Sequence, residues 1–133
     1  MSSILKISEA ASLGLHAMTM IAQSKDKLIS AKEISERLDV SYNHLSKVLQ
    51  RLAKSDLIFS TKGFNGGFKL LKQSDEITFL EIYEAIDGKF RPSNCLLNKT
   101  DCHHKCIMGD FVNSINKQAK EFFETKKLSD FTK

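Results

Sequence analysis

A mainly helical fold carrying one small β-hairpin is what the sequence predicts, and three observations lead to it. Four stretches place apolar residues at helical spacing just behind a Ser or Thr, a single stretch sets β-formers around a glycine-rich turn, and a last amphipathic stretch follows the chain's only proline, Pro92.

Ser8 caps a first helix running to about Gln23, in which Leu13, Ala17, Met20 and Ile21 form an apolar stripe. Ser30 and Glu33 make a capping box that opens a short helix with Ile34 and Leu38 turned inward. Asp39 and Val40 then form a brief turn before Ser41, a second N-cap. The helix after Ser41 repeats Leu45, Val48, Leu49 and Leu52 on one face, a spacing that fixes that face to a core. Its other face carries Tyr42, Asn43, His44, Ser46, Lys47, Gln50 and Arg51. Two short helices joined by a tight turn, the second with amide, hydroxyl and basic groups outward, read as a helix-turn-helix with its recognition helix.

Leu57-Ile58-Phe59-Ser60, the loop Thr61 to Gly67 and Phe68-Lys69-Leu70-Leu71 read as a β-hairpin, the wing of a winged helix. No Gly-Lys-Ser/Thr follows the glycines, which excludes a phosphate-binding loop. They are expected to permit positive φ and close approach of the backbone to a partner such as DNA. Thr78 and Glu81 form another capping box, starting a helix with Leu80, Ile82, Tyr83 and Ile86 that stops at Asp87-Gly88. A long helix is expected from about Ile107 to Glu124, with Ile107, Phe111, Ile115 and Phe122 beside Val112, Ala119 and Phe123. So wide an apolar surface on a terminal helix predicts pairing with a second subunit.

With 133 residues, the chain suits one domain, or one domain with an appended helix. The expected organisation is a DNA-binding winged helix-turn-helix over 1–88, a cysteine-rich loop over 89–106, and a dimerisation helix with a tail over 107–133. The most apolar stretch, Leu13 to Ala22, is broken by His16 and Thr19, so a cytoplasmic protein without a membrane span is expected. A net charge of +4 is modest, but residues 41–72 hold six basic residues against the single Asp56. Such a local excess predicts a surface for a polyanion.

All three cysteines, Cys95, Cys102 and Cys106, fall in one short stretch that also holds His103 and His104. An odd number argues against a closed set of disulfides, and clustered thiolates are metal or cluster ligands. Three thiolates with one nitrogen or oxygen ligand suit either an iron-sulfur cluster or tetrahedral zinc. No paired carboxylates and no nucleophile with its base appear, so an enzyme is not expected. Two function classes remain: a DNA-binding regulator governed by the cysteine site, and a small iron-sulfur electron carrier or cluster scaffold that does not bind DNA. A helix presenting Asn43, Gln50 and Arg51 outward favours the first.

In that order the parts resemble the Rrf2 family, the IscR-, NsrR- and CymR-like regulators. The resemblance rests on Tyr42-Asn43-His44-Leu45-Ser46-Lys47-Val48-Leu49-Gln50-Arg51-Leu52, the wing Lys62-Gly63-Phe64-Asn65-Gly66-Gly67-Phe68-Lys69-Leu70, the stretch Ile77-Thr78-Phe79-Leu80-Glu81-Ile82, and the three-cysteine loop. It covers essentially the whole chain. It implies a homodimeric bacterial transcription factor whose C-terminal helices cross at the dimer interface, bound to a near-palindromic site on double-stranded DNA. The DNA contacts it implies are Ser41, Tyr42, Asn43, His44, Lys47, Gln50 and Arg51 on the recognition helix and Lys62, Gly63, Asn65, Gly66 and Gly67 on the wing. It implies an iron-sulfur cluster, 2Fe-2S or 4Fe-4S, on Cys95, Cys102 and Cys106, controlling operator affinity in response to redox, nitric oxide or iron-sulfur status. Some members add a histidine shortly after the third cysteine, where this chain has Ile107-Met108-Gly109. Others draw a ligand from the first helix, where Ser12 and His16 lie by position and His16 is the better donor. Lys62 stands where an arginine is common, which keeps the charge and loses the planar fork.

Overall fold

The computed structural model describes residues 7–91, 107–108 and 110–132. In chain order it forms α1 (Glu9–Gln23), α2 (Ala31–Leu38), α3 (Tyr42–Lys54), β1 (Ile58–Thr61), β2 (Gly67–Leu70), α4 (Phe79–Asp87) and α5 (Phe111–Thr125). Short 3-10 turns cover Ser74–Glu76 and Leu128–Phe131.

Local chemistry starts the first four helices. The hydroxyls of Ser8, Ser30, Ser41 and Thr78 each accept a hydrogen bond from the backbone N–H three residues on, at 3.0 to 3.3 Å. Each satisfies a donor that the helix cannot. The return half of the two predicted capping boxes goes elsewhere: Glu33 faces Arg37 at 3.6 Å, and Glu81 accepts from Lys72 Nζ at 2.9 Å. Between α2 and α3 the chain turns on Asp39, which adopts the left-handed region at φ 54 and ψ 53. Val40 N–H then closes on the Ser35 carbonyl at 3.0 Å. An aspartate tolerates that backbone better than most residues, so the turn of the helix-turn-helix is compact.

The core is built on α1. Its fully buried Ala11, Ala17, Met18 and Ile21 belong to one cluster with Leu45, Leu49 and Leu52 of α3 and with Ile82 and Ile86 of α4. Each such Ile or Leu side chain contributes about 1.5 to 3 kcal/mol by leaving water. The C-terminus of α4 is a junction. Asp87 accepts from the Ser8 hydroxyl at 2.7 Å, and the Ile86 carbonyl accepts from Arg51 Nη1 at 2.6 Å.

β1 and β2 pair antiparallel, from Ile58 opposite Leu70 to Thr61 opposite Gly67. A third partner joins them, because Phe68 N–H donates to the Ile29 carbonyl at 2.8 Å and Ile29 N–H returns the bond to Phe68 at 3.2 Å. This backbone contact sets the demand at Gly67, which is buried and where an added Cβ would lie 2.8 Å from the Ile29 carbonyl oxygen. Gly66 is equally constrained, since a Cβ there would meet the Thr61 carbonyl oxygen at 2.2 Å. Gly63 alone of the three has positive φ, at 104°. Two of the three wing glycines thus serve close approach within the chain.

Ile107 departs from the expected last helix; it sits in a turn and is 84% exposed, and α5 begins only at Phe111. The i, i+4 step from Ile107 to Phe111 continues the apolar spacing past the real helix start. Val112 and Phe123 are buried where α5 packs on α4, and the Phe123 ring lies 5.8 Å from that of Tyr83. Beyond α5 the chain turns back. Phe79 N–H donates to Lys126 at 2.9 Å, Leu128 N–H donates to Ile77 at 3.1 Å, and Leu128 is fully buried. Gln23 Nε2 completes the closure by donating to the Phe131 carbonyl at 3.0 Å.

Candidate nucleic-acid interface

The surface that the helix-turn-helix offers is set by the burial of the other face of α3. With Leu45, Val48, Leu49 and Leu52 inward, Asn43, Lys47, Gln50 and Lys54 fall at i, i+4, i+7 and i+11 and form one exposed line. Lys54 was not among the expected contacts; the spacing from Lys47 would have found it. Tyr42, 55% exposed, lies on one flank of this line. His44 and Arg51 lie on the other, seven residues apart. Ser41 is exposed, and its hydroxyl accepts from His44 N–H at 3.3 Å.

Arg51 combines an exposed side chain with the Nη1 bond to the Ile86 carbonyl. A guanidinium at the C-terminal end of α4 meets carbonyls without helical partners and the negative end of the helix dipole. The residue thus ties α3 to the end of α4.

The wing follows within four residues of α3. Asp56 takes φ 62, and Leu57 N–H donates to the Leu52 carbonyl at 3.2 Å, so the hairpin leaves the recognition helix by a fixed turn. At the tip Gly66 N–H donates to the Gly63 carbonyl at 3.0 Å, closing a four-residue turn with Phe64 and Asn65 at its centre. Gly67 N–H adds a bond to the Thr61 hydroxyl at 3.2 Å. Lys62, Gly63 and Asn65 are exposed, Gly66 is half-buried and Gly67 is buried.

Of the basic residues between 41 and 72, Lys72 is paired with Glu81. Among the described residues Lys47, Lys54, Lys62 and Lys69 have no ion pair. Lys47 and Lys54 on the helix and Lys62 on the wing are exposed, which leaves a positive surface on these two neighbouring elements without an ion pair among the described residues.

A cleft of about 500 Å³ separates the start of α1 from the turn and start of α3, lined by Glu9, Ser12, His16, Val40 and His44 among others. The structure thus brings together His16, expected as a ligand, and His44, expected at DNA. His16 Nδ1 is 2.7 Å from the Ser12 carbonyl oxygen. A carbonyl only accepts, so Nδ1 carries a proton and is the ring nitrogen already engaged. Cys95, Cys102 and Cys106, with His103 and His104, lie outside the described residues. Among the described residues no group of three or more His, Cys, Asp or Glu side chains is placed to hold a metal, and no helix is long and apolar enough to cross a membrane.

Among the described residues one acid is perturbed, away from this surface. Burial pushes the Tyr83 phenol above its ordinary value, and the carboxylates of Asp87 and then Glu84 push the same way.

A winged helix-turn-helix with an exposed basic face is the frame of a transcriptional regulator, and comparison with known proteins agrees. The Rrf2 profile, described as an iron-dependent transcriptional regulator, matches residues 7–133. The chain belongs to the Rrf2 family of transcriptional regulators. A putative HTH-type transcriptional regulator of Aquifex aeolicus is 28% identical over 92% of this chain and 88% of its own length. NsrR of Shouchella clausii is 37% identical over 65% of this chain, an alignment that spans 56% of NsrR. Among solved structures, CymR, the global cysteine regulator of B. subtilis, superposes with a TM-score of 0.82 at 24% identity, over 96% of each chain. IscR of T. potens superposes with a TM-score of 0.71 at 23% identity, over 95% of this chain and 85% of its own. These relatives are regulators rather than enzymes, and the family decides for the regulator over the electron carrier or scaffold.

Proposed function

We propose that two copies of the chain bind a near-palindromic operator through α3 and the wing, with affinity set by an iron-sulfur cluster on Cys95, Cys102, Cys106 and His16. The observation that carries the DNA reading is the line Asn43, Lys47, Gln50 and Lys54, exposed along one side of a helix whose other side is fixed in the core. Asn43 and Gln50 have amide groups suited to base edges, whereas Lys47, Lys54 and Lys62 suit phosphates. Ser41, Tyr42 and His44 flank the entry of α3 to the groove, and Gly63, Asn65 and Gly66 form the wing tip, where Gly67 holds the tip in place. Arg51 acts through its anchor on Ile86.

The homodimer is supported by the outer edge of α5. Phe111 and Phe122, each about half exposed, share one side of that helix with the partly buried Ile115. A second copy of the same stripe would cover them. Half-sites would then sit about one helical turn apart on one face of the duplex.

The cluster reading is supported by donor chemistry. Three thiolates suit iron, and the Nδ1 of His16 is held on the Ser12 carbonyl, which leaves Nε2 as the nitrogen that would ligate. When bound, the cluster supplies a centre that oxidants and nitric oxide attack. His16 shares its cleft with His44 and Val40, so what holds His16 also bears on the start of the recognition helix. A cytoplasmic location follows from this reading.

The test selects duplexes from a random-sequence library with the protein prepared without oxygen, then titrates the enriched duplex with the cluster-loaded, cluster-free and Cys102→Ala proteins at fixed salt. A coupling of about 1 to 3 kcal/mol would separate the dissociation constants by several-fold to a hundred-fold. Three equal constants would remove the cluster from regulation, and no enriched sequence in any form would remove the DNA reading.

A further inference from the structure

We infer that Phe64 is a wedge: it enters the minor groove beside the α3 site, opens one base step and bends the duplex. This rests on the DNA reading above and adds a residue and a distortion to it. Phe64 is 103% exposed, more than any other large apolar side chain among the described residues. Among the described residues no ring stacks on it and it is not part of the core cluster.

The tip that carries Phe64 is built for rigidity. Phe64 is a central residue of the turn closed by the Gly66 to Gly63 hydrogen bond, and the Thr61 hydroxyl ties the base of that turn through Gly67. Gly66 and Gly67 leave no room for a Cβ, so the loop is folded hard against its own strands. The paired strands are in turn stitched to Ile29 and to the end of α3. A bare aromatic ring on a stiff, small-residue tip costs little ordering to insert. It loses nothing inside the protein when it leaves water.

Charge selects the partner. Lys62 flanks the ring on the tip, and Lys69 lies on the strand behind it; neither has an ion pair among the described residues. Asn65, the other central residue, offers both a donor and an acceptor. An apolar ring framed by cations and an amide fits the minor groove, where side chains of this kind unstack steps and kink the helix. Four-residue strands reach roughly 13 Å, comparable to the groove spacing beside a helix seated in the major groove.

The experiment uses the full chain and the duplex enriched from a random-sequence library by the wild-type protein. Affinity is read by anisotropy, bending by energy transfer between dyes at the duplex ends, and unstacking by 2-aminopurine placed across the flanking steps. Phe64→Ala should bind about ten-fold more weakly, lose the bend and leave 2-aminopurine quenched, with base preference under α3 unchanged. Phe64→Leu, which keeps an apolar wedge, should recover part of the bend. Lys62→Ala should weaken all sequences alike and lower the salt dependence by about one phosphate, with the bend retained. If Phe64→Ala matches the wild type in affinity and bend, the wedge is overturned while the DNA reading stands. If the wild type enriches no duplex, both fall. If Phe64→Ala instead changes the oligomeric state without DNA, the ring is a contact between copies and the wedge is likewise overturned.

Discussion

Replacing Arg51 by Ala separates anchoring from base reading. The substitution removes the 2.6 Å bond from Nη1 to the Ile86 carbonyl and the cation at the end of α4. A hydrogen bond from a charged donor contributes about 1.5 to 3 kcal/mol, and a cation at a helix C-terminus about 0.3 to 1. Because the side chain is exposed, the lower end applies, and the net loss should be about 1 to 2 kcal/mol. With a urea slope of about 2 kcal/mol per molar, the unfolding midpoint should fall by roughly 0.5 to 1 M. Operator affinity should fall as well, since α3 loses one of its ties, but the enriched sequence should be the wild-type one. Arg51→Lys, which keeps the charge and loses the fork, should fall between. The reasoning is refuted if the midpoint is unchanged while preference relaxes at a single base position, for then Arg51 reads a base and its bond to Ile86 contributes nothing.

Three further outcomes follow from the same geometry. Gly67→Ala should cost about 2 to 4 kcal/mol in chemical denaturation, because a Cβ 2.8 Å from the Ile29 carbonyl oxygen forces apart two backbone hydrogen bonds; a loss under about 0.5 kcal/mol would contradict the contact. Leu128→Ala, at a fully buried position, should cost about 2 to 5 kcal/mol in the same assay and raise amide exchange at Phe79, whose N–H bonds to the adjoining Lys126. Tyr83 is protonated more tightly in the folded state than in the unfolded one, so its contribution is complete below the ordinary phenol range near pH 10 and is lost as pH rises through the higher folded value. Thermal melts from pH 9 upward should therefore fall less steeply for Tyr83→Phe than for the wild type, and parallel curves would count against the shift.

What was legible in the sequence was what is local. Ser8, Ser30, Ser41 and Thr78 mark helix starts because a cap needs only a hydroxyl and the N–H three residues on. The inward face of α3 follows from spacing alone, and with it the outward line of Asn43, Lys47 and Gln50. What escaped depends on residues far apart. Nothing near Phe68 announces Ile29 as its partner, so the demand that this neighbouring backbone places on Gly67 is not legible in the sequence. Arg51 looks like any groove-facing arginine until Ile86, thirty-five residues on, is placed beside it. Ile107 was drawn into α5 because periodicity carries no sign of where a helix stops. Phe64 has no role in the sequence reading beyond its place in the wing motif, and its full exposure at the turn is what marks it out.

The return of the chain at Lys126 to Phe131 bears on how the regulator is made. Leu128 fills the core beside Ile77, and Phe131 accepts from Gln23, a partner 108 residues earlier. Contacts of such separation form only after a large loop has closed, and on the ribosome only after those late residues have emerged. The helix-turn-helix is synthesised much sooner, yet α1, on which it rests, lacks one wall until Leu128 and Phe131 arrive. Nascent chains stalled short of Leu128 should therefore hold a loose reading head, so that competence for DNA waits until Leu128 and Phe131 have emerged.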